Sequence, residues 1–248
     1  MSKTQIRANL KFLLLQYRRD SGVKKEEKES FARFAEIKTG QIKVHNFFRE
    51  KNFAMKEIKS YDAVFIGGSS DVSVFDDYDF LPPSQEIIRF LIENRVPTFA
   101  SCFGFQLALR AFGAEIVQSK EDFEMGTYPI FRTEAGKEDP LLENLSDSFY
   151  GVSVHKQKVT ELPRDFIGLG RTKDCWHIVK HRAAPFWAFQ FHPEIDDRVL
   201  RQRLTLYQDQ YTAGPEHLAK ILENIKDTTV ANKLCRIFID KIVILGRR

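Results

Sequence analysis

The chain has 248 residues, of which 43% are hydrophobic and 29% are charged. This composition is ordinary for a folded globular protein and excludes an intrinsically disordered chain. The 38 basic and 34 acidic residues leave a net charge of +4 that is spread along the chain, so nothing in the charge favours a nucleic-acid partner. The early apolar run at 12–15 is too short for a signal peptide or a membrane helix, and no membrane partner is expected.

The first half of the chain alternates apolar runs with helical periodicity. Strands are predicted at 12–15, 41–47, 61–66 and 96–101, and helices at 29–37, 85–94 and 103–112. The mixed-charge run at 24–29 is expected to be a solvated helix face. This repeated strand–helix order predicts an α/β fold with one doubly wound, mostly parallel sheet, for which the length is suitable.

The second half begins with shorter strands and ends in helices. Strands are predicted at 127–131, 149–154 and 166–169, and helices at 199–207, 218–225 and 230–244. Because no strand separates these last helices, we expect a core domain over residues 1–198 and a C-terminal helical extension, residues 199–248, packed on the same core.

The three cysteines, Cys102, Cys175 and Cys235, are an odd number without metal-ligand spacing. Such a set indicates a reducing compartment, and a cytoplasmic protein is expected. We expect Cys175 and Cys235 to be buried structural residues. No metal or other cofactor is predicted.

Cys102 is a candidate nucleophile because it lies where an apolar strand stops and a helix begins. Ala100 and Gly104, two residues before and two after it, are small, as a sharp strand-to-helix turn requires. The N–H groups and the dipole at the start of the following helix favour a thiolate. The alternative is a buried cysteine that acts only as a small hydrophobic residue.

A second apolar strand ends at His192-Pro193-Glu194. Residues two apart in extended chain point to the same side, and Pro193 biases His192 toward extended geometry. Glu194 can then fix the tautomer of His192 and leave its other nitrogen to face Cys102. Because open α/β sheets gather their chemistry at the carboxyl ends of strands, we expect the two motifs to meet. The alternative for His192 is an ordinary hydrogen-bonded histidine at a strand end.

The cysteine with its elbow, the Phe-His-Pro-Glu string at 191–194 and the glycine pair at 67–68 resemble class I glutamine amidotransferases of the triad type, closest to the stand-alone GMP-synthase-like members. The resemblance covers residues 10–198 and implies a flavodoxin-like sheet. It also implies that the side-chain amide of glutamine is hydrolysed through a γ-glutamyl thioester to glutamate and ammonia. In that reaction Cys102 would be the nucleophile, His192 the acid and base, and Glu194 the group that orients His192.

The same resemblance implies an oxyanion hole formed by the backbone N–H groups of Gly67, Gly68 and Phe103. Glycine lets the backbone approach a tetrahedral intermediate, and preset donors stabilise its negative oxygen. A rival interpretation makes the segment 67–71 a phosphate-binding loop, although no Gly-Lys-Ser/Thr follows it.

Gln106 and His155 are implied as substrate contacts, with a helix-face glutamine and a surface histidine as the alternatives. The segment 124–126 resembles the family's Glu-x-Gly turn, for which a structural role is expected. Three positions depart from the family pattern, namely Ala100 in place of Gly, Ser69 in place of Pro and Gln157 in place of Asp. The second departure bears on the shape of the oxyanion loop and the third on the exact substrate.

The amidotransferase pattern uses nearly all of the chain and is expected to leave no room for a synthetase. The first hypothesis is therefore a glutaminase-type enzyme whose ammonia serves a separate synthetase or another acceptor. The second keeps the same triad but cleaves γ-glutamyl bonds in peptides or conjugates. The third is a non-catalytic regulatory or binding protein, which the intact set of Cys102, His192 and Glu194 disfavours.

Overall fold

The computed structural model describes residues 2–118, 123–208 and 214–247. The strands are β1 (Phe12–Gln16), β2 (Ile42–Asn46), β3 (Ala63–Ile66), β4 (Thr98–Ser101), β5 (Val117–Gln118), β6 (Glu124–Arg132), β7 (Ser148–His155), β8 (Gln157–Lys158), β9 (Phe166–Arg171), β10 (Trp176–His181) and β11 (Phe186–Phe189). The helices are α1 (Lys3–Ala8), α2 (Ser21–Phe34), α3 (Leu81–Glu93), α4 (Phe103–Ala111), α5 (Glu134–Glu138), α6 (Asp197–Leu206), α7 (Pro215–Glu223) and α8 (Thr229–Ile237), the last continuing as a π-helix (Phe238–Ile244). Shorter 3₁₀ segments lie at Thr39–Gln41, Met55–Ser60 and Leu245–Arg247.

Within the described residues, nine strands form one mixed sheet in the order β2-β1-β3-β4-β11-β10-β9-β6-β7. The strands from β2 to β11 in that order run parallel, and the remainder of the sheet is antiparallel. The predicted α/β class with a mostly parallel sheet is confirmed. The strand β10 was not predicted, because its mixture of charged and apolar side chains has no clear period.

The parallel strands are buried on both faces, which explains why they read as continuous apolar runs. In β1, Leu13 and Leu15 face the cluster under α3 and α4, whereas Phe12 and Leu14 face the cluster that includes residues of α2 and of the C-terminal π-helix. Successive side chains alternate between the two faces of a strand. Helices therefore cover both sides of this half of the sheet, as in a doubly wound fold.

The C-terminal helices pack on the main sheet. Residues of α6 and α7 cover Met125 and Val152 of the antiparallel strands. The Phe238 ring lies 5.4 Å from the Phe99 ring, centroid to centroid. The division of the chain at residue 198 stays a prediction. Across the described residues, we find no helix with the length and apolar character that crossing a membrane requires.

One charged residue in the run at 24–29 is not solvated, which corrects the sequence prediction. Glu27 is fully buried, and its carboxylate accepts hydrogen bonds from Arg18 Nε at 3.0 Å and from Gln16 Nε2 at 3.1 Å. A buried carboxylate needs such partners because its desolvation is otherwise too costly. The pair of Arg18 and Glu27 therefore lies inside the fold at the carboxyl end of β1.

Candidate active site

Cys102 lies between β4 and α4 in a strained backbone conformation, with φ 49° and ψ −101°. Side chains rarely adopt this region, and such strain is concentrated at functional sites. The Cys102 N–H donates to the Phe189 carbonyl oxygen at 2.7 Å. A Cβ at Gly104 would lie 2.8 Å from Ile66 Cγ2 and 2.9 Å from its carbonyl oxygen, so glycine lets α4 begin close to β3. The turn thus has the geometry expected of a nucleophile elbow.

The chain after β11 brings His192 and Glu194 to the same place. The His192 Nδ1 atom lies 2.7 Å from Glu194 Oε1, and the Ser101 hydroxyl donates to the same oxygen at 3.0 Å. With Nδ1 donating to the carboxylate, the other ring nitrogen is left for the Cys102 sulfur. The two side chains are neighbours, since His192 Cε1 lies 2.6 Å and Cys102 Cβ 3.4 Å from the ideal Cβ position of Gly68. The structure therefore brings together the three side chains that the sequence singled out.

Burial and neighbouring charges shift the pKa values of His192 and Glu194 in opposite directions. Burial disfavours a charged His192, but Glu194 and Cys102 raise the pKa of His192 to about 9. Burial alone would raise the pKa of Glu194, but His192 holds it below its ordinary value. A histidine that a buried carboxylate helps to keep protonated can activate a neighbouring cysteine as a nucleophile.

The glycine pair contributes to the site unequally. A Cβ at Gly68 would lie 2.6 Å from His192 Cε1 and 3.4 Å from Cys102 Cβ, so only glycine fits there. The Gly67 N–H instead donates to the Leu15 carbonyl oxygen at 3.0 Å as part of the sheet. This corrects the predicted set of oxyanion donors, because an N–H that is engaged in the sheet cannot face a substrate. Gly68 and Phe103, the first residue of α4, are the candidates that remain.

The loop after the glycine pair does not have the arrangement of a phosphate-binding loop. The Ser69 hydroxyl oxygen accepts hydrogen bonds from the N–H groups of Asp71 and Val72, both at 3.0 Å. A phosphate-binding loop needs such N–H groups free to face the ligand. The same hydroxyl donates to the Tyr17 carbonyl oxygen at 2.7 Å, so Ser69 fixes the loop to the residue that follows β1.

A cavity of 260 Å³ opens beside Cys102. Gln106 lines it, with its amide nitrogen 3.3 Å from the Gln190 side-chain oxygen. His155 lines it as well, but its Nδ1 lies 2.9 Å from the Gln157 carbonyl oxygen and its Nε2 lies 3.1 Å from Glu124 Oε2. Both nitrogens of His155 are thus directed to protein groups, and the implied direct contact with a substrate applies better to Gln106.

A second cavity, of 30 Å³, adjoins His192 rather than Cys102. Its walls include Arg18 and residues of α6, among them Leu204. Sequence reasoning missed these residues. The one signal for Arg18 was its position two residues after β1, at the edge of the sheet where the motifs of Cys102 and His192 also end. Nothing in the sequence distinguished the wall residues of α6 from other apolar helix positions.

Known proteins resemble this chain in sequence. The family model for glutamine amidotransferase class-I matches residues 28–206. The chain is 25% identical over 141 residues to a glutamine-hydrolyzing GMP synthase subunit of Methanocaldococcus jannaschii. The match covers 56% of this chain and 66% of that protein. It is 28% identical over 148 residues to the gamma-glutamyl-L-1-hydroxyisopropylamide hydrolase of a Pseudomonas species. That match covers 55% of this chain and 48% of the hydrolase.

The chain spans 66% or less of the length of the first curated relatives that it matches. Among solved structures, the glutamine amidotransferase of Thermotoga maritima matches with a TM-score of 0.73 at 16% identity, over 94% of this chain and 98% of that one. At this identity the structural likeness shows the fold alone, whereas the family model covers more than half of the sequence. The chain therefore belongs to the class-I glutamine amidotransferase family, which confirms the resemblance drawn from its motifs.

Proposed function

We propose that this chain hydrolyses the side-chain amide of glutamine to glutamate and ammonia. Cys102 is the nucleophile, His192 the general acid and base, and Glu194 the residue that orients His192. The observation that carries this proposal is the 2.7 Å contact between His192 Nδ1 and Glu194 Oε1 next to a cysteine held at φ 49°. Nucleophile, base and orienting group are thus in the relation that covalent catalysis requires.

In the first half of the reaction the Cys102 thiolate attacks the amide carbon of glutamine. The tetrahedral oxyanion that forms is stabilised by the backbone N–H groups of Gly68 and Phe103. His192 then transfers its proton to the amide nitrogen, the carbon–nitrogen bond breaks, and ammonia leaves. A γ-glutamyl thioester on Cys102 remains, and His192 is neutral.

In the second half a water molecule takes the place of the ammonia. His192 removes a proton from this water while the water oxygen attacks the thioester carbon, and the carbon–sulfur bond then breaks. Glutamate is released, and Cys102 and His192 regain their thiolate and imidazolium forms. Glu194 keeps the imidazole in one orientation throughout and stabilises its positive charge.

The volume beside His192 supports glutamine as the substrate. Because His192 protonates the leaving group, that group departs on the side of the 30 Å³ cavity. A cavity needs about 10 to 15 Å³ of such volume to hold one water molecule, so this one suits ammonia or the attacking water. The larger cavity, at 260 Å³, is left for the amino-acid part of the substrate.

A second candidate function is hydrolysis of γ-glutamyl amides. It is supported by the similarity to the Pseudomonas hydrolase, and the acyl half of the chemistry is identical. The small volume beside His192 has more room for ammonia than for a bulky amine, which favours glutamine between the two.

The ammonia is proposed to serve a separate synthetase. Relatives from Methanocaldococcus jannaschii and Pyrococcus abyssi are named as single subunits of a glutamine-hydrolyzing GMP synthase, which supports a separate partner protein that accepts the ammonia. We also propose that residues 1–198 form the amidotransferase core and that 199–248 extend it, with α6 at the start of this extension contributing walls of the small cavity.

The test combines turnover with covalent labelling. The purified chain is incubated with glutamine or with a γ-glutamyl alkylamide, and ammonia or the amine is measured. We expect ammonia release that falls at least ~10³-fold in Cys102→Ser, as for the loss of other triad nucleophiles. Because the substitution replaces only sulfur by oxygen, its melting temperature should stay near that of the wild type.

Labelling identifies the nucleophile even if turnover needs a partner. A glutamine-analogue electrophile should modify Cys102, as located by peptide mass analysis, and free glutamine should slow that modification. If Cys102 stays unlabelled and neither substrate is hydrolysed, the proposal fails and a non-catalytic role is indicated. If only the γ-glutamyl alkylamide is hydrolysed, the second candidate replaces the first.

A further inference from the structure

A second group of polar side chains is buried behind the wall of the larger cavity. Glu124, His155, Cys175 and His177 are all buried, and their candidate ligand atoms lie within 4.8 Å of one another. Glu124 begins β6 and His155 ends β7, whereas Cys175 directly precedes β10 and His177 is its second residue. None of these four side chains has a part in the proposed hydrolysis.

The sheet brings these residues together by two features of its pairing. Glu124 and His155 are directly opposite each other on β6 and β7, so their side chains are neighbours. The pairing of β10 with β9 shifts register between Trp176 and Ile178, which makes His177 the extra residue of a bulge. A bulge redirects a side chain, and here the side chain of His177 is directed to Glu124.

The contacts converge on the Glu124 carboxylate. Its Oε2 atom lies 2.7 Å from His177 Nε2 and 3.1 Å from His155 Nε2. Its Oε1 atom accepts a hydrogen bond from the Thr172 hydroxyl at 2.9 Å and lies 4.0 Å from Cys175 Sγ. Two imidazole nitrogens thus share one oxygen, and a thiol stands next to the other.

If both histidines are neutral, their ring nitrogens do not form satisfactory hydrogen bonds with the Glu124 carboxylate. His155 Nδ1 faces the Gln157 carbonyl oxygen, which only accepts, so this nitrogen must carry the proton. A neutral His155 then directs the Nε2 lone pair at a carboxylate oxygen. His177 is fully buried, and within the described part of the chain neither of its ring nitrogens has a hydrogen-bond partner at an acceptable angle, despite the 2.7 Å separation. Lone pairs that converge in a buried site are stabilised by a cation between them.

We propose that Glu124, His155, Cys175 and His177 form a binding site for a divalent metal ion of the zinc class. Imidazole nitrogen, thiolate sulfur and carboxylate oxygen are the donors that Zn²⁺ takes in proteins, whereas Mg²⁺ and Ca²⁺ prefer oxygen donors alone. Donors bound to a tetrahedral zinc ion at about 2.0 to 2.3 Å lie roughly 3.3 to 3.8 Å apart. The four candidate donor atoms lie within 4.8 Å of one another, so small side-chain rotations bring them to that spacing.

Hydrogen bonds outside the four ligands support the assignment. The Gln157 carbonyl oxygen fixes His155 in the tautomer that leaves Nε2 as the ligand atom, and the Thr172 hydroxyl orients Glu124. Metal-binding histidines and carboxylates generally have such outer partners. With four protein ligands the site is closed, so the ion is structural and joins β6, β7 and β10 behind the cavity wall.

The test is the metal content and the melting temperature of the full chain, purified without a polyhistidine tag. After loading with Zn²⁺ and removal of the excess, we expect about one zinc ion per chain, as in a closed structural site. Chelator treatment should lower the melting temperature, and Zn²⁺ alone should restore it. Cys175→Ser and His177→Ala should each reduce zinc affinity by at least ~10-fold, since loss of an outer partner already has that effect.

Two thiol controls separate this site from other cysteines. Cys102→Ser and Cys235→Ser should keep the zinc, which excludes adventitious binding at the catalytic thiol. If a ligand variant fails to fold, Co²⁺ in place of Zn²⁺ still reports the ligands, because a thiolate ligand gives a charge-transfer band that both control variants must retain. The proposal is overturned if the wild type retains no zinc and gains no thermal stability from it, or if zinc is lost in Cys102→Ser. None of these readouts depends on glutamine hydrolysis.

Discussion

Replacing Gly68 with alanine tests whether the backbone of the glycine loop is part of the reaction site. The new Cβ would lie 2.6 Å from His192 Cε1 and 3.0 Å from Arg18 Nη2. To regain ordinary contact at 3.4 Å, the imidazole or the loop must move by about 0.8 Å. Because Arg18 is held by its buried pair with Glu27, the ring and the loop backbone take up most of the displacement.

The size of the effect follows from this displacement. A misplacement of about 1 Å at a catalytic group reduces the rate about 100-fold, and loss of one oxyanion-hole donor reduces kcat by about 10² to 10³. We therefore expect kcat for glutamine to fall by about 10² to 10³, which corresponds to about 2.7 to 4 kcal/mol. KM should change little, because the glycine N–H stabilises the oxyanion and not the ground-state amide.

The assay is steady-state ammonia release, with thermal melting to verify folding. Gly40→Ala is the matched control, because no atom lies within 4 Å of its ideal Cβ, and its kcat should equal that of the wild type. A Gly68→Ala variant that melts normally and keeps kcat within about threefold, or about 0.7 kcal/mol, of the wild type would refute the geometric reasoning.

Two further substitutions address the imidazole and the leaving group. In Glu194→Gln, kcat should fall by about 10² to 10⁴. Because Glu194 helps to raise the pKa of His192 to about 9, the wild-type rate should decline above pH 9, whereas the rate of the variant should decline at a lower pH. Superimposable pH–rate profiles would contradict this. Leu204→Val removes one methylene from the wall of the 30 Å³ cavity and so enlarges the cavity. The ratio of kcat/KM for a γ-glutamyl alkylamide to kcat/KM for glutamine should therefore rise about 10-fold. Leu206→Val, on the exposed side of the same helix, carries the same change in helix propensity, and an equal ratio in both variants would exclude a role of the wall.

The same pKa shift of His192 affects stability. Its pKa in the folded chain, about 9, is above its ordinary value of 6.5. The stabilisation is therefore fully present below pH 6.5 and is lost as the pH rises through about 9. Urea unfolding across that window should show a decreasing free energy of unfolding in the wild type and a smaller decrease in Glu194→Gln.

The parallel half of the fold could be predicted because burial on both faces leaves an unbroken apolar run. β1, β3 and β4 have this pattern and are buried throughout. Cys102 and His192 could be found because each follows such a run, and parallel strands end at a common edge. For these residues the local sequence therefore predicts both the strand and the edge of the sheet at which the site lies.

Elsewhere the deciding contacts are made across the sheet and leave no local signal. Whether Gly67 or Gly68 faces the substrate depends on which N–H the Leu15 carbonyl oxygen engages. Glu27 is buried because Arg18, in the segment after β1, pairs with it, although the neighbours of Glu27 in sequence are charged. His177 reaches Glu124 through strand register and a bulge, which composition and spacing do not encode.

The small cavity also bears on where the functional unit ends. Its walls include Leu200, Leu204 and Tyr207, all beyond residue 198, and the family model extends to residue 206. A boundary at 198 would separate these walls from His192, against which they form the cavity. If the leaving group departs there, α6 (Asp197–Leu206) determines which amines fit, and the catalytic unit must include this helix. The proposed extension is then peripheral only after α6, where α7 and α8 add packing to the sheet without lining either cavity.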